Sequence, residues 1–198
     1  MNNLFKSIFT FTMCALIFGA CTDNSGNNSA IDNIMSRTSV RTYTSQAVSD
    51  DAVETLLRAA MAAPTAVNSQ PWKFVVLRNA DVLAELADTV PNAGEKLTNS
   101  AVTIVVCGDT TKFVEPKPDF WVQDCSAATE NLLLAANAIG LGAVWCGVYP
   151  DMDRVEAVRK VLNLDDSLIP LNVIPIGYPD GTTQPKDKWK PENIIYLD

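Results

Sequence analysis

The chain reads as an α+β or three-layer α/β domain built on one central sheet, and three observations predict this. Apolar runs of strand length alternate with longer runs of helical periodicity. Residues 101–107 (AVTIVVC) are apolar without alternation, as fully buried strands are. The helical runs carry one apolar face each, except the longest, which is apolar or small nearly all round.

The elements follow in order. Residues 30–36 form a short helix leading into a basic stretch. Ser49, Asp50 and Asp51 open the next helix, a cap followed by acids beside the positive helix end. Val53, Leu56, Leu57, Ala60 and Met61 share one face of it, and Pro64 stops it. Residues 73–77 (KFVVL) suit a strand, 80–87 a short helix, 94–98 a second helical stretch, and 101–107 the buried strand. Residues 120–139 make the longest helix, with Gly140 at its C-terminal cap. Such a helix is buried on most faces, and a second copy of the chain is the natural cover for the remainder. Residues 142–148 (GAVWCGV) read as one strand, 152–162 as an amphipathic helix and 171–176 (LNVIPI) as the last core strand. The tail from Tyr178 is rich in Lys and Pro and ends in a strand-like run, Ile194-Ile195-Tyr196. No internal repeat is present.

Composition bounds the chemistry. A length of 198 residues suits one domain, or one domain with an appendage. The 47% apolar content is enough for a sizeable core. The formal charge of −8 argues against a nucleic-acid partner, so any strong anion site must come from a few converging Lys and Arg side chains. The chain contains no histidine, which excludes a Ser-His-Asp triad, a Cys-His pair and the usual His-rich zinc sites. Redox chemistry on a bound organic cofactor loses nothing by this, because the cofactor carries the hard step. No metal site is expected.

Residues 1–20 read as a targeting segment. Lys6 supplies the positive end, an apolar run spans 8–18, and Gly19-Ala20 precede Cys21. The pattern resembles a bacterial lipoprotein signal cleaved before Cys21, whose thiol would then carry lipid; Phe18 departs from the usual aliphatic residue. Residues 21–29 would be a flexible tether and 30–198 the folded domain. The expected location is the cell envelope, on the periplasmic side or cell surface, touching the membrane through the lipid alone. A plain secretory peptide or an uncleaved anchor are the alternatives, and without export the chain would stay in the cytoplasm. Cys107, Cys125 and Cys146 sit in apolar or small-residue contexts and read as buried free thiols.

Three separated segments carry the chemistry. In Arg37-Thr38-Ser39-Val40-Arg41-Thr42-Tyr43, two arginines and several hydroxyls suit phosphate oxygens. In the loop 63–72 (APTAVNSQPW), two prolines fix the shape and the Asn68 and Gln70 amides can meet the edge of a planar heterocycle. In 140–150 (GLGAVWCGVYP), Gly147 lets backbone approach a flat ring closely. A solvated basic loop, a rigid turn and a capped strand are the plainer readings of each segment alone.

Together these segments resemble the FMN-dependent nitroreductase family. The RxSxR-type opening, the PTxxNxQPW loop, the GLGxxW stretch and the IGYP plus Lys-rich tail occur in the family's order, from about Ile34 to the C-terminus. The resemblance implies a three-layer α+β fold, with a central, mostly antiparallel sheet flanked by helices, and an intertwined homodimer with FMN at the interface. It implies that Arg37, Thr38, Ser39 and Arg41 hold the ribityl phosphate and the pyrimidine side of the ring. Pro64, Thr65, Ala66, Asn68 and Gln70 would contribute across the dimer, and Gly147 and Val148 would line the ring near N5. Lys186 and Lys188 look like the family's C-terminal basic pair, although Trp189-Lys190-Pro191 shifts the spacing. Lys96 is a further candidate near the flavin.

The implied activity is transfer of hydride equivalents from NADH or NADPH to a small electron-poor acceptor, such as a nitroaromatic or a quinone, by a ping-pong route. Arg41 would stabilise the charge of the reduced ring. Phe120 and Trp121 are candidate substrate-pocket residues. Reduction of an activated double bond and reductive dehalogenation are alternatives within the family. A rival from another class is an exported lipoprotein that binds flavin or a related ligand without turnover, since nicotinamide donors are scarce outside the cytoplasm.

Overall fold

A computed structural model describes residues 29–197. The expectations for the targeting segment, Cys21 and most of the tether lie outside these residues. Helices α1 (Ser29–Ser36) and α2 (Asp50–Met61) precede strand β1 (Trp72–Leu77). Helices α3 (Ala80–Thr89) and α4 (Glu95–Thr98) lead to β2 (Val102–Asp109), and α5 (Phe120–Ala138) follows. Two short strands, β3 (Gly142–Ala143) and β4 (Cys146–Gly147), precede α6 (Met152–Leu162) and β5 (Leu168–Gly177).

Local chemistry explains the boundaries. Ser49 caps α2, its hydroxyl accepting the Ala52 N–H at 3.2 Å. Gly140, at φ +77°, turns the chain just after α5. The expected face of α2 is only partly buried: Val53, Leu56 and Ala60 enter the core, whereas Met61 is exposed.

The sheet runs β1-β2-β5-β3, with β4 also on β5, and every pairing is antiparallel. Alternation along the central strands divides the apolar residues between two cores. Val102, Ile104, Val106, Ile174 and Ile176 meet Leu56, Ala128 and Leu132 of α2 and α5. Val105, Cys107 and Val173 meet Leu86, Leu97, Val155 and Val158 of α3, α4 and α6. The result is the expected three-layer α+β domain. Each fully buried Leu or Ile contributes about 1.5–3 kcal/mol of apolar transfer. Cys107, Cys125 and Cys146 are free and buried; burial pushes the Cys107 and Cys125 thiols up to about 12.

The single strand expected over 142–148 is two strands, and a proline on the facing strand explains the break. Ala143 pairs with Ile176 and Cys146 with Val173, which sets Val144 opposite Pro175. Pro175 has no N–H to give, so the ladder lapses there. Its carbonyl instead accepts the buried Tyr43 hydroxyl at 2.9 Å, an oxygen that also lies 2.8 Å from the Val40 carbonyl. The tail departs from expectation too: Ile194, Ile195 and Tyr196 form no strand and are exposed.

Candidate active site

The basic stretch 37–43 is held in place by close backbone packing. Val40 N–H donates to the Ala143 carbonyl at 3.1 Å, and Thr44 N–H to that of Tyr178 at 2.9 Å. Gly142 and Gly177 make room for this: a Cβ on Gly142 would stand 2.6 Å from Val40, and one on Gly177 2.9 Å from Tyr43. With Val40 and Tyr43 buried as anchors, Arg37, Thr38, Ser39 and Arg41 are left facing one cleft.

That cleft has a volume of about 570 Å³, and the C-terminal tail forms its opposite wall with Lys186, Asp187, Lys188 and Trp189. Asp187 accepts the Trp189 N–H at 2.9 Å, turning the tail locally. Two arginines and two lysines therefore converge against one aspartate, in a chain whose overall charge is −8. Lys186 and Lys188 line the cleft, and Lys190 is not among its lining residues. Arg37 pairs through Nε with Glu130 of α5 at 3.1 Å, and Arg41 donates to the Ser39 carbonyl at 3.0 Å.

Near this cleft lies the β4 edge. Val148 N–H donates to the Leu171 carbonyl at 3.0 Å. An antiparallel ladder alternates, so the neighbouring Gly147 points its N–H and C=O away from β5. The Gly147 carbonyl accepts Arg154 Nη1 at 3.1 Å. A Cβ built on Gly147 would meet nothing within 4 Å, leaving an open strip of backbone beside an outward N–H. Val148, also expected beside the ring, gives its N–H to β5 and has a side chain only 1% exposed, so Gly147 supplies the open part of this edge. Lys96 is outside the basic cleft, and its Nζ donates to the Asn92 carbonyl at 2.8 Å. Both Lys96 and Arg41 oppose the upward push of burial on the Cys146 thiol, which places both charges near this edge.

The loop at 64–70 lies apart from the basic cleft within one chain. Pro64, Thr65 and Ala66 instead border a second cavity of about 370 Å³ with Phe120, Gln123, Asp124 and Ala127. Gln70 Nε2 donates to Asn68 Oδ1 at 3.0 Å. Asn68 Nδ2 and Gln70 Oε1 then remain as a donor and an acceptor side by side. Phe120 borders this cavity, whereas Trp121 is not among its lining residues. Trp121 is buried, stacked on Phe113 at 5.4 Å and edge-on to Tyr149 at 5.0 Å, so it packs the core rather than gating a pocket.

Asp124 and Glu130 were missed by sequence reasoning. They are the only charged side chains of α5. A carboxylate inside an apolar helix must find a partner or stay at the surface, and that signal was present in the sequence.

The donor set suits a phosphorylated, planar ligand. Four cations and two hydroxyls answer phosphate, the amide pair answers a ring edge with adjacent carbonyl and N–H groups, and the strip at Gly147 accommodates a flat face. The family model for the Nitroreductase family matches residues 34–93 and 90–178. A protein of Methanothermobacter thermautotrophicus named "Putative NADH dehydrogenase/NAD(P)H nitroreductase" is 42% identical over 164 residues, covering 83% of this chain and 84% of its own length. A crystal structure of the same name from Parabacteroides distasonis is 43% identical, with a TM-score of 0.82, covering 87% of this chain and 99% of its own. A structure from Desulfovibrio desulfuricans in complex with FMN is 31% identical, with a TM-score of 0.77, covering 87% and 99%.

Proposed function

The chain belongs to the nitroreductase family, and on that premise we propose that it is an FMN-dependent oxidoreductase. Hydride equivalents pass from NADH or NADPH to a small electron-poor acceptor, a nitroaromatic or a quinone, with donor and acceptor using one site in turn. The observation that carries this reading is the convergence of Arg37, Arg41, Lys186 and Lys188 on one cleft near the open backbone at Gly147. The NAD(P)H in the archaeal relative's name and the FMN in the Desulfovibrio complex support the choice of donor and cofactor.

FMN, when bound, supplies reversible two-electron chemistry that no side chain of this chain can. In this reading Arg37, Thr38, Ser39, Lys186 and Lys188 hold the phosphate end. Arg41 would offer its cation to the negative charge of the reduced ring. The Gly147 N–H is the backbone donor toward the ring. Pro64, Thr65, Ala66, Asn68 and Gln70 serve the site of a second copy in a homodimer. The exposed Ile31, Ile34 and Met35 of α1 support that dimer, because such side chains usually find cover. We extend the proposal to the cell envelope, with Cys21 lipidated. Cys21→Ser is expected to release the protein from the membrane fraction, and a variant that stays there refutes the anchor.

The deciding experiment is purification followed by anaerobic mixing with NADH and with NADPH. A yellow dimer whose flavin band bleaches with one of them is expected. A colourless preparation that refuses added FMN overturns the reading. A yellow protein that neither donor bleaches supports the passive flavin binder instead, which the export pattern at 1–21 favours.

A further inference from the structure

Away from the basic cleft, one buried charged group has no place in the scheme above. Asp124 of α5 is 6% exposed. Its Oδ1 accepts the Ala66 N–H at 3.0 Å, and its Oδ2 has no partner among the described residues. Ala66 opens a segment where Val67, Asn68 and Gln70 take φ of +46°, +57° and +48°. Non-glycine side chains resist this region, a β-branched one most of all, so these conformations persist only when their surroundings impose them.

Little imposes them from within. Asn68 N–H donates to the Thr65 carbonyl at 3.1 Å, Ser69 N–H to that of Ala66 at 3.0 Å, and Gln70 N–H to Thr65 Oγ1 at 3.2 Å. These bonds knit the segment to itself without fixing its place on the domain. Among the described residues, the bond from Ala66 to Asp124 is the only hydrogen bond leaving residues 65–70. A carboxylate is a strong, acceptor-only partner for a backbone N–H. The unpartnered Oδ2 is tolerated at a desolvation cost that an apolar residue would avoid. A helix built of apolar and small residues has no need of an acid here for its own stability.

We propose that Asp124 is a positioning residue: through Ala66 it locks the strained loop onto α5, so that Asn68 and Gln70 present their amides in one fixed geometry. The inference rests on the FMN reading for what those amides meet, but the locking itself does not.

The test uses the full chain, its Asp124→Ala and Asp124→Asn variants, and two readouts. The first is amide hydrogen exchange over residues 65–70 in each protein as purified. Asp124→Ala is expected to speed exchange there about tenfold or more while the central strands stay protected, and Asp124→Asn, which keeps an oxygen acceptor, to restore most of the protection. The second is FMN titration by fluorescence, with the visible spectrum of the bound flavin. Asp124→Ala is expected to bind FMN about tenfold more weakly and with an altered spectrum, and Asp124→Asn to fall within about threefold of the parent. Unchanged exchange at 65–70 in Asp124→Ala overturns the proposal. So does faster exchange throughout the sheet, which marks a general structural role. Should Asp124→Ala not fold, Asp124→Leu fills the same volume without an acceptor and takes its place. A parent that takes no FMN defeats the proposed function, while the exchange comparison still decides the locking.

Discussion

Arg37 Nε lies 3.1 Å from a Glu130 carboxylate oxygen, so α5 grips the base of the guanidinium. The two terminal nitrogens have no protein partner among the described residues and remain for a ligand in the basic cleft. The pair is partly exposed, and its effect on stability is at most about 1 kcal/mol. Its value is geometric, since an aimed Arg loses less freedom on binding than a loose one. Glu130→Ala is expected to weaken FMN binding about three- to tenfold with little change in melting temperature. Arg37→Ala removes the charge-assisted contact itself and is expected to weaken it about tenfold or more. Fluorescence titration beside a thermal melt checks both; equal affinities in parent and variants would remove Arg37 from the phosphate site.

Two glycines are expected to behave oppositely when a methyl group is added. Gly108→Ala places a Cβ 2.4 Å from the buried Trp121 ring, and the crowding is expected to cost about 1–3 kcal/mol. Gly147→Ala meets nothing within 4 Å and has no unusual φ, so the fold is expected to melt as the parent does. Its methyl group would stand on the strip where the ring face is proposed to lie, and flavin affinity should fall. Unaltered affinity in a stable Gly147→Ala would argue that the ring lies elsewhere.

Tyr43→Phe tests the repair at Pro175. The hydroxyl lies 2.9 Å from the Pro175 carbonyl and 2.8 Å from that of Val40. Removing it takes the one hydroxyl proton from this buried pair of carbonyls, at about 1–3 kcal/mol. For a domain of this size each kcal/mol lowers the melting temperature by about 2–4 °C. Calorimetry of the variant should show that drop, and an unchanged melting temperature would mean the bond carries no net stability.

Alkaline pH is expected to unfold the domain through its thiols. Cys107 and Cys125 titrate near 9 when unfolded and near 12 when buried. Above pH 9 the unfolded chain therefore binds fewer protons than the native one, and stability falls as pH rises. Each thiol contributes about 1.4 kcal/mol per pH unit until the folded value near 12 is passed. Below pH 9 the contribution is fully present. Urea titrations from pH 8 to 11 should show the decline, shallower in Cys107→Ala once its own lower baseline is subtracted. A flat profile would contradict the burial.

The sequence by itself determined the three layers. Val102, Ile104 and Val106 face one way and Val105 and Cys107 the other because strand side chains alternate, and the helical periods supply matching faces. It also determined which local groups could bind phosphate, because Arg37, Ser39 and Arg41 fall within five residues of one another. Tertiary structure decided everything that depends on partners distant along the chain. The break at Val144 follows from Pro175, Trp121 is buried because Phe113 and Tyr149 close over it, and the Val148 N–H is taken by Leu171. The joining of Arg37 to Lys188, and of Ala66 to Asp124, is of the same kind. Local periodicity reports which face a residue takes, but only packing fixes what stands across from it.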